Sequence, residues 1–365
     1  MRSPARLAAA LLSMASVLPG CASHGQPMTA STDHVDALMQ RYAGDVPGAA
    51  LLVLRDGEPL VRRAYGLADV EAGTQVAPAT SFRLASVSKQ FTAAAILLLA
   101  EDGRLQLDDP VRRWLPSLPA GFDGITLHHL LSHTSGIADY EDLMDPAATV
   151  QVHDADVLRL LATSQDAKAY FAPGTAYRYS NSGYALLALV VGEAWGRDFA
   201  GLLRERIFQP LGMHGSVAFE GGVSTVDQRA YGHSQVDGAW RRTDQSTTSA
   251  VLGDGGIYAS IDDLAKWDAA LYDDRLLSDA SRALAFTAQT TTATGEDDVD
   301  AYGYGWRVHG DTLWHSGETI GFRNVIVRWP AQRLTVVLLS NRNEPEPYAT
   351  ALAIAAPWLG DREGR

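Results

Sequence analysis

The sequence predicts an α/β (α+β) protein: one antiparallel sheet flanked by helices, with an all-helical subdomain inserted in mid-chain. Three observations carry this. Short strand-like runs lie near both ends of the chain, at 49–54 and 60–66 and again from Gly305 onward. Between about 104 and 240 the pattern is short helices and loops with little alternation. Residues 91–100 are nearly all apolar, with Thr92 the only hydroxyl, and a helix that is hydrophobic all round must be buried on all sides. Strands at both ends with helices between make one sheet from the two termini, with that buried helix running through the middle.

The chain begins with Arg2 and Arg6 ahead of an apolar run at 7–18, the layout of a secretory signal peptide. The run is shorter than the roughly 20 residues a membrane span needs. It ends in Leu18-Pro19-Gly20-Cys21, which resembles the lipobox of bacterial lipoproteins, where the chain is cut before a lipidated Cys. The expectation is a signal peptide at 1–20 and a tether at 21–30 lipidated at Cys21. The protein is then exported and held at the periplasmic or cell-surface face. The alternative is an ordinary cleavable signal that happens to contain a Cys. Cys21 is the only cysteine, which excludes an intramolecular disulfide and any Cys-based metal cluster.

Residues 31–365 read as one catalytic domain, with sheet parts at about 31–103 and 245–365 and the helical insert at about 104–244. Val35, Leu38, Met39 and Tyr42 fall at helical spacing behind Ser31 and Thr32 as caps. Asp56-Gly57 joins the first two strands and is the strongest short hairpin signal. Asp102-Gly103 stops the buried helix, and 154–163 and 183–195 are helical candidates. Strands follow at 306–309, 312–315, 324–329 and 334–339. A last helix covers 348–359, and 287–300 reads as an exposed loop.

Of the 365 residues, 46% are hydrophobic and 20% charged, with a formal net charge of −13. This is the balance of a globular protein. Loss of residues 1–20 removes two arginines and no acid, making the charge two units more negative. Such a surface repels nucleic acid and anionic membrane. The expected partner is a small-molecule or peptide substrate, with membrane contact through the lipid alone.

Ser86-Val87-Ser88-Lys89 carries the chemistry. A Ser-x-x-Lys spacing is weak by itself, but here it opens the buried helix, and residues i and i+3 share a helical face. A helix N-terminus directs free N–H groups at an oxyanion. A Ser hydroxyl is a poor nucleophile until a neighbouring base takes its proton, and a lysine in an apolar, partly dry pocket can serve as that base.

Ser86-x-x-Lys89 is a signature of serine β-lactamases and penicillin-binding proteins, and the rest of the chain extends the resemblance. Tyr179-Ser180-Asn181, just before a helical run, looks like the Tyr-x-Asn motif of the class C β-lactamase and D,D-peptidase branch. His315-Ser316-Gly317 on a C-terminal strand matches its Lys/His-x-Gly motif. The turn at 130–136 and Gly255-Gly256-Ile257-Tyr258-Ala259-Ser260 are similar to structural elements of the family. The latter is followed by a helix for which Ser260 and Asp263 form an approximate capping box.

The resemblance implies a β-lactamase/transpeptidase-like fold and acyl transfer to Ser86, with no metal or organic cofactor. It gives Lys89 and Tyr179 the proton transfers and sets Asn181 against the substrate amide and Lys89. The oxyanion falls to the backbone N–H groups of Ser86 and Glu318, beside Ser316 and Gly317. Many members of this branch have Lys where this chain has His315, a weaker anchor for an anion because histidine is mostly neutral at pH 7. Arg323 and Arg328 are candidates for the missing charge. Position 315 tilts the reading toward a D,D-peptidase, D-aminopeptidase or carboxylesterase, with a class C-like β-lactamase as the alternative. A penicillin-sensing or binding lipoprotein is the non-enzyme alternative. His128, His129 and His133 crowd together without a His-Glu-x-x-His pattern, so His133 reads as a turn residue satisfying backbone groups. No Gly-x-Ser-x-Gly occurs.

Overall fold

A computed structural model describes residues 28–292 and 299–360, together with Met1. The signal-like run and Cys21 lie outside the described residues. An eight-stranded antiparallel sheet forms the centre. In chain order its strands are β1 (Ala49–Arg55), β2 (Glu58–Tyr65), β3 (Thr290–Thr291), β4 (Ala301–Tyr302), β5 (Arg307–His309), β6 (Thr312–Thr319), β7 (Phe322–Trp329) and β8 (Leu334–Ser340). Across the sheet the order is β3-β4-β5-β6-β7-β8-β1-β2, so the first strand of the chain pairs with the last. The β1–β2 turn uses Asp56 and Gly57 at φ 54° and 82°, the two positive values a type I′ turn requires.

Alternate residues of the central strands enter two separate cores. Ala49, Leu51 and Val53 pack with helix α1 (Met28–Met39) and the C-terminal helix α9 (Tyr348–Leu359) through Val35, Met39, Tyr348, Ala351 and Ile354. Ala50, Leu52 and Leu54 face the other way, toward α2 (Lys89–Glu101). With both faces covered, the strands read as continuous apolar runs instead of alternating ones. In α2 every residue from Lys89 to Leu99 is buried, and Gly103 at φ 69° lets the chain leave it.

Further helices that bear on the site or the sheet are α3 (Leu127–Leu131), α4 (Asp154–Thr163), α5 (Asn181–Trp195), α6 (Leu252–Gly255), α7 (Ile261–Ala270) and α8 (Asp279–Phe286). α5 packs against α2, α3, α4 and α6. A buried ion pair ties α7 to the sheet: Arg328 Nε donates to Asp268 Oδ1 at 2.7 Å with side chains 1% and 2% exposed.

Four local expectations change. α1 begins at Met28, so Ser31 and Thr32 stand inside the helix and not at its cap, and the last residues expected in the tether are helical. The mid-chain segment also carries a two-stranded hairpin, His233–Val236 with Ala239–Arg242. Thr290–Thr291, expected in a loop, pairs with Ala301–Tyr302 as the sheet's outer edge. Ser260 does cap α7, accepting from Asp263 N–H at 3.2 Å, but the Asp263 carboxylate turns away to Gly215 N–H and Ser216 Oγ, both at 2.9 Å. The box is thereby left open.

Candidate active site

Ser86 lies in a single 3-10 turn, Ala85–Ser88, that runs straight into α2. The residue before it, Ala85, has φ 49°, a left-handed conformation that costs an alanine of order 1 kcal/mol and persists only where the surroundings impose it. They do so here through β6. A Cβ on Gly317 would fall 2.0 Å from the Leu84 carbonyl oxygen, so only glycine lets the strand close on the nucleophile turn.

The Lys89 side chain is buried and directs its Nζ at three acceptors. Ser86 Oγ lies at 3.0 Å, Asn181 Oδ1 at 2.9 Å and the Asp254 carbonyl at 2.9 Å. Three acceptors match the three donors of an ammonium. Thus the first turns of α2 and α5 and the short helix α6 converge on one nitrogen. Asn181 is held in turn: its N–H donates to Asp139 Oδ2 at 2.6 Å and its Nδ2 to Glu141 Oε1 at 3.3 Å.

Tyr179 stands beside this cluster, with its ring centroid 4.9 Å from Lys89 Nζ. Its buried hydroxyl makes no hydrogen bond among the described residues. The ring packs on His133 at 4.3 Å. His133 adopts φ 57°, and its Nδ1 accepts from the Ser180 N–H at 3.1 Å, which places the turn residue under the Tyr-Ser-Asn motif. Burial and the nearby Lys89 hold its pKa well below the usual histidine value, so the ring is neutral. His128 Nδ1 meets the Tyr304 hydroxyl at 2.7 Å and His129 Nδ1 accepts from Thr126 N–H at 3.2 Å. The three histidines therefore serve three different local structures.

His315 departs most from what the motif suggested. It is fully buried, with Nδ1 2.6 Å from the Ser316 carbonyl and Nε2 3.0 Å from the Tyr302 hydroxyl. A carbonyl only accepts, so the ring proton sits on Nδ1 and Nε2 accepts from the tyrosine. Burial, with Arg307 nearby, drives its pKa well below the ordinary value. This leaves neither a charge nor a free N–H for a substrate carboxylate. The alternatives are also engaged: Arg323 pairs with Glu318 at 2.5 Å, and Arg328 is the buried partner of Asp268.

A pocket opens over Ser86 and is also lined by Asn181, Glu318, Tyr140, Glu141 and Asp254. Glu318 thus reaches the same space as Ser86. Arg83 borders it too; the residue is 3% exposed, its Nε and Nη2 donate to the carbonyls of Gly255 at 3.3 Å and Ser249 at 2.9 Å, and its Nη1 makes no hydrogen bond among the described residues. Burial raises the pKa of Asp139 and Glu141, the Asp139 carboxylate adds to the rise at Glu141, and Asp142 adds to both while Lys89 opposes it. These acids, with Tyr140 and Asp254, escaped the sequence reading. The available signals were an acidic run, Asp139-Tyr-Glu-Asp, just past the family-like turn, and an Asp immediately before Gly255-Gly256.

A nucleophile turn closed by a C-terminal strand, with Ser, Lys and Asn on three elements, is an arrangement that known proteins share. The Beta-lactamase family model matches residues 32–356. Penicillin-binding protein 4* of Bacillus subtilis (strain 168) is 32% identical, over 85% of this chain and 71% of its own length. D-aminopeptidase of Gluconobacter oxydans (strain 621H) is also 32% identical, over 88% of this chain but 60% of its own length. Among solved structures, a penicillin-binding protein from Bacillus halodurans superposes with a TM-score of 0.75 at 29% identity, over 89% of this chain and 98% of that one. D-amino acid amidase from Ochrobactrum anthropi SV3, at 24% identity, shares the fold with a TM-score of 0.76 over 90% of this chain and 97% of its own. A match that spans the sheet, the helical segment and the Ser86 turn alike leaves one conclusion: the chain belongs to the beta-lactamase family and is a serine hydrolase.

Proposed function

We propose that Ser86 is the acylated nucleophile and that the substrate is an amide or ester of an amino acid bearing a free amino group, of the D-aminopeptidase type. The observation that carries the substrate class is the excess of acid around the cavity: Glu141, Asp254 and Glu318 line it against Arg83 as the single basic residue among the lining residues, and Glu141 stands beside Asn181. Such a space favours an ammonium on the acyl part and disfavours the carboxylate of a β-lactam or a terminal D-alanine. The 32% identity to a D-aminopeptidase supports the same reading.

In the neutral form, Lys89 accepts the Ser86 hydroxyl proton across their 3.0 Å contact. Its two remaining N–H groups stay on Asn181 Oδ1 and the Asp254 carbonyl. Ser86 Oγ attacks the substrate carbonyl, and the backbone N–H groups of Ser86 and Glu318 receive the oxyanion. Lys89 and Tyr179 pass the proton to the leaving amine or alcohol. Water then releases the acid by the reverse sequence.

The test pairs turnover of D-alanine p-nitroanilide with the intact mass of the 22–365 protein after benzylpenicillin. Hydrolysis of the D-anilide, slower hydrolysis of its L-enantiomer, and a loss of at least about a thousandfold in Ser86→Ala are expected. Rapid consumption of the penicillin without D-anilide turnover would reassign the protein as a β-lactamase. The Leu18–Cys21 sequence further supports export and a lipid anchor at Cys21. Metabolic labelling with a palmitate analogue checks this, and label retained in Cys21→Ala would end that reading.

A further inference from the structure

A proton carrier works only if its hydroxyl points at the atom that needs the proton. The Tyr179 hydroxyl is buried and makes no hydrogen bond among the described residues, so no polar contact fixes its direction. The phenol is held by what packs on it. Of the three rings around it His133 is the nearest, with centroids 4.3 Å apart and planes at 35°. Tyr302 and His315 stand at 6.3 and 6.2 Å.

His133 also holds the backbone on both sides of Tyr179. Its carbonyl accepts from the Arg178 N–H at 3.0 Å, and its Nδ1 accepts from the Ser180 N–H at 3.1 Å. Two more bonds lace the rest of the turn to the approach: the Thr134 carbonyl accepts from Gly174 N–H at 2.8 Å and the Gly136 carbonyl from Tyr170 N–H at 2.7 Å. A Cβ on Gly136 would fall 2.3 Å from the Phe171 carbonyl oxygen, so the two segments lie in direct contact. His133 itself is 1% exposed, and its ring packs further on Tyr302 at 4.5 Å and Tyr184 at 5.1 Å. A left-handed turn position, φ 57° here, calls for glycine or asparagine. An aromatic ring is not what the turn needs; it is what the phenol rests on. Among the described residues His133 does not line the pocket over Ser86, so it reaches the chemistry only through its neighbours.

We propose that His133 is a positioning residue that aims the Tyr179 hydroxyl at the leaving atom of the substrate, by holding Arg178 and Ser180 and stacking on the ring between them. This rests on Ser86 being the nucleophile and Tyr179 a proton carrier. In the step concerned the Ser86 Oγ–carbon bond forms. The bond from that carbon to the leaving oxygen or nitrogen then breaks, and its electron pair stays on the leaving atom. That atom takes the phenol proton, and Lys89 returns to Tyr179 the proton it took from Ser86. A leaving group that is stable as an anion departs without this proton, whereas an alkoxide or an amine does not. A misdirected phenol therefore costs most where the leaving group is poorest.

The experiment compares kcat/KM for p-nitrophenyl acetate, whose phenolate leaves unprotonated, with that for ethyl acetate, whose alkoxide needs the proton. Wild type, His133→Asn and Tyr179→Phe are measured at one pH. Both esters lack amine and carboxylate, and kcat/KM covers acylation alone, so their ratio reports leaving-group protonation and not substrate class. Asparagine tolerates the left-handed backbone and keeps an acceptor for the Ser180 N–H, but it removes the ring. His133→Asn should lose at least about tenfold on ethyl acetate and less than about threefold on p-nitrophenyl acetate, the same bias as Tyr179→Phe. Equal losses on the two esters in a folded His133→Asn, with the bias present in Tyr179→Phe, overturn the proposal and leave Tyr179 its role. No bias in Tyr179→Phe removes the proton carrier, and the proposal falls with it. Should His133→Asn fail to fold, His133→Phe takes its place: the ring stays but Ser180 N–H loses its acceptor. A smaller bias of the same sign is then expected, and equal losses are equally fatal. Undiminished turnover of both esters in Ser86→Ala would sink the nucleophile assignment and the proposal together. A bias without D-alanine p-nitroanilide turnover would support His133 and refute only the substrate class.

Discussion

An ammonium has three donors and no acceptor, and at Lys89 all three meet oxygens of different elements. The identity of each partner therefore matters through geometry. Asn181 is fixed on its far side by Glu141, which links the base to the acid expected to read the substrate. Glu141→Gln should lower kcat/KM for D-alanine p-nitroanilide by about tenfold relative to p-nitrophenyl acetate, mainly through KM, because one charge contact to the ammonium is lost. An equal fall for both substrates would assign Glu141 to holding Asn181. The contact should also weaken on acidification, and earlier than for a free glutamate, since burial raises the Glu141 carboxyl. Ser86, Lys89, Tyr179 and Asn181 were legible because motif spacing survives in one dimension. His315 was legible as a position but not in its state: burial and the Tyr302 contact arise from chain segments the motif does not contain. Glu141 and Asp254 take their meaning from contacts 40 and 165 residues away, which no local pattern carries.

At the scale of elements, the sequence reads best where one periodicity dominates. α2 is apolar on every side and buried from Lys89 to Leu99, and the β1–β2 hairpin follows from a two-residue turn signal. Elements set by long-range pairing read worst. Thr290–Thr291 becomes strand only because Ala301–Tyr302 lies beside it, and polar threonines give no burial pattern to announce it. The α1 start at Met28 likewise overrides the local preference of Ser31 and Thr32 for a cap, because α1 is anchored by Val35 and Met39 against α9. The nucleophile turn shows the two scales meeting. Ala85 in a left-handed conformation is unfavourable locally, yet the close approach of Gly317 to Leu84 leaves it no alternative. At Gly253 a Cβ would likewise fall 2.2 Å from the Tyr184 carbonyl oxygen. Two glycines far apart in sequence, Gly253 and Gly317, thus bring α6 and β6 against the helices that carry the chemistry.

Over the whole molecule, the acids that shape the site also set how stability responds to pH. Asp154 is buried with its carboxyl raised to about 6, and Asp254 to about 7, both by desolvation. A carboxyl whose folded pKa exceeds its unfolded value near 3.9 binds protons more tightly in the native state. Stability therefore falls as pH rises from about 4 to about 7, through the interval between the unfolded and folded values, and is flat above it. Summed over the two groups the effect is on the order of a few kcal/mol, and it adds to the self-repulsion of a chain with net charge −13. Acids held by arginines oppose this only at lower pH: Asp36 beside Arg63 and Asp102 beside Arg206 lie below the ordinary carboxylate range, and their contribution is lost as pH falls through about 4. The melting temperature should accordingly rise on acidification from about pH 7 to about pH 4 and then drop. Asp154→Asn should melt lower at every pH, since Leu252 and Gly253 N–H donate to different carboxylate oxygens and the amide puts an NH2 donor against one of them. Its slope between pH 5 and 7 should nonetheless be shallower than that of wild type. Thermal unfolding of both proteins across that range decides the matter. Parallel slopes would mean that Asp154 is already ionised in the folded protein at pH 5, stabilised by those two amides more than burial penalises it.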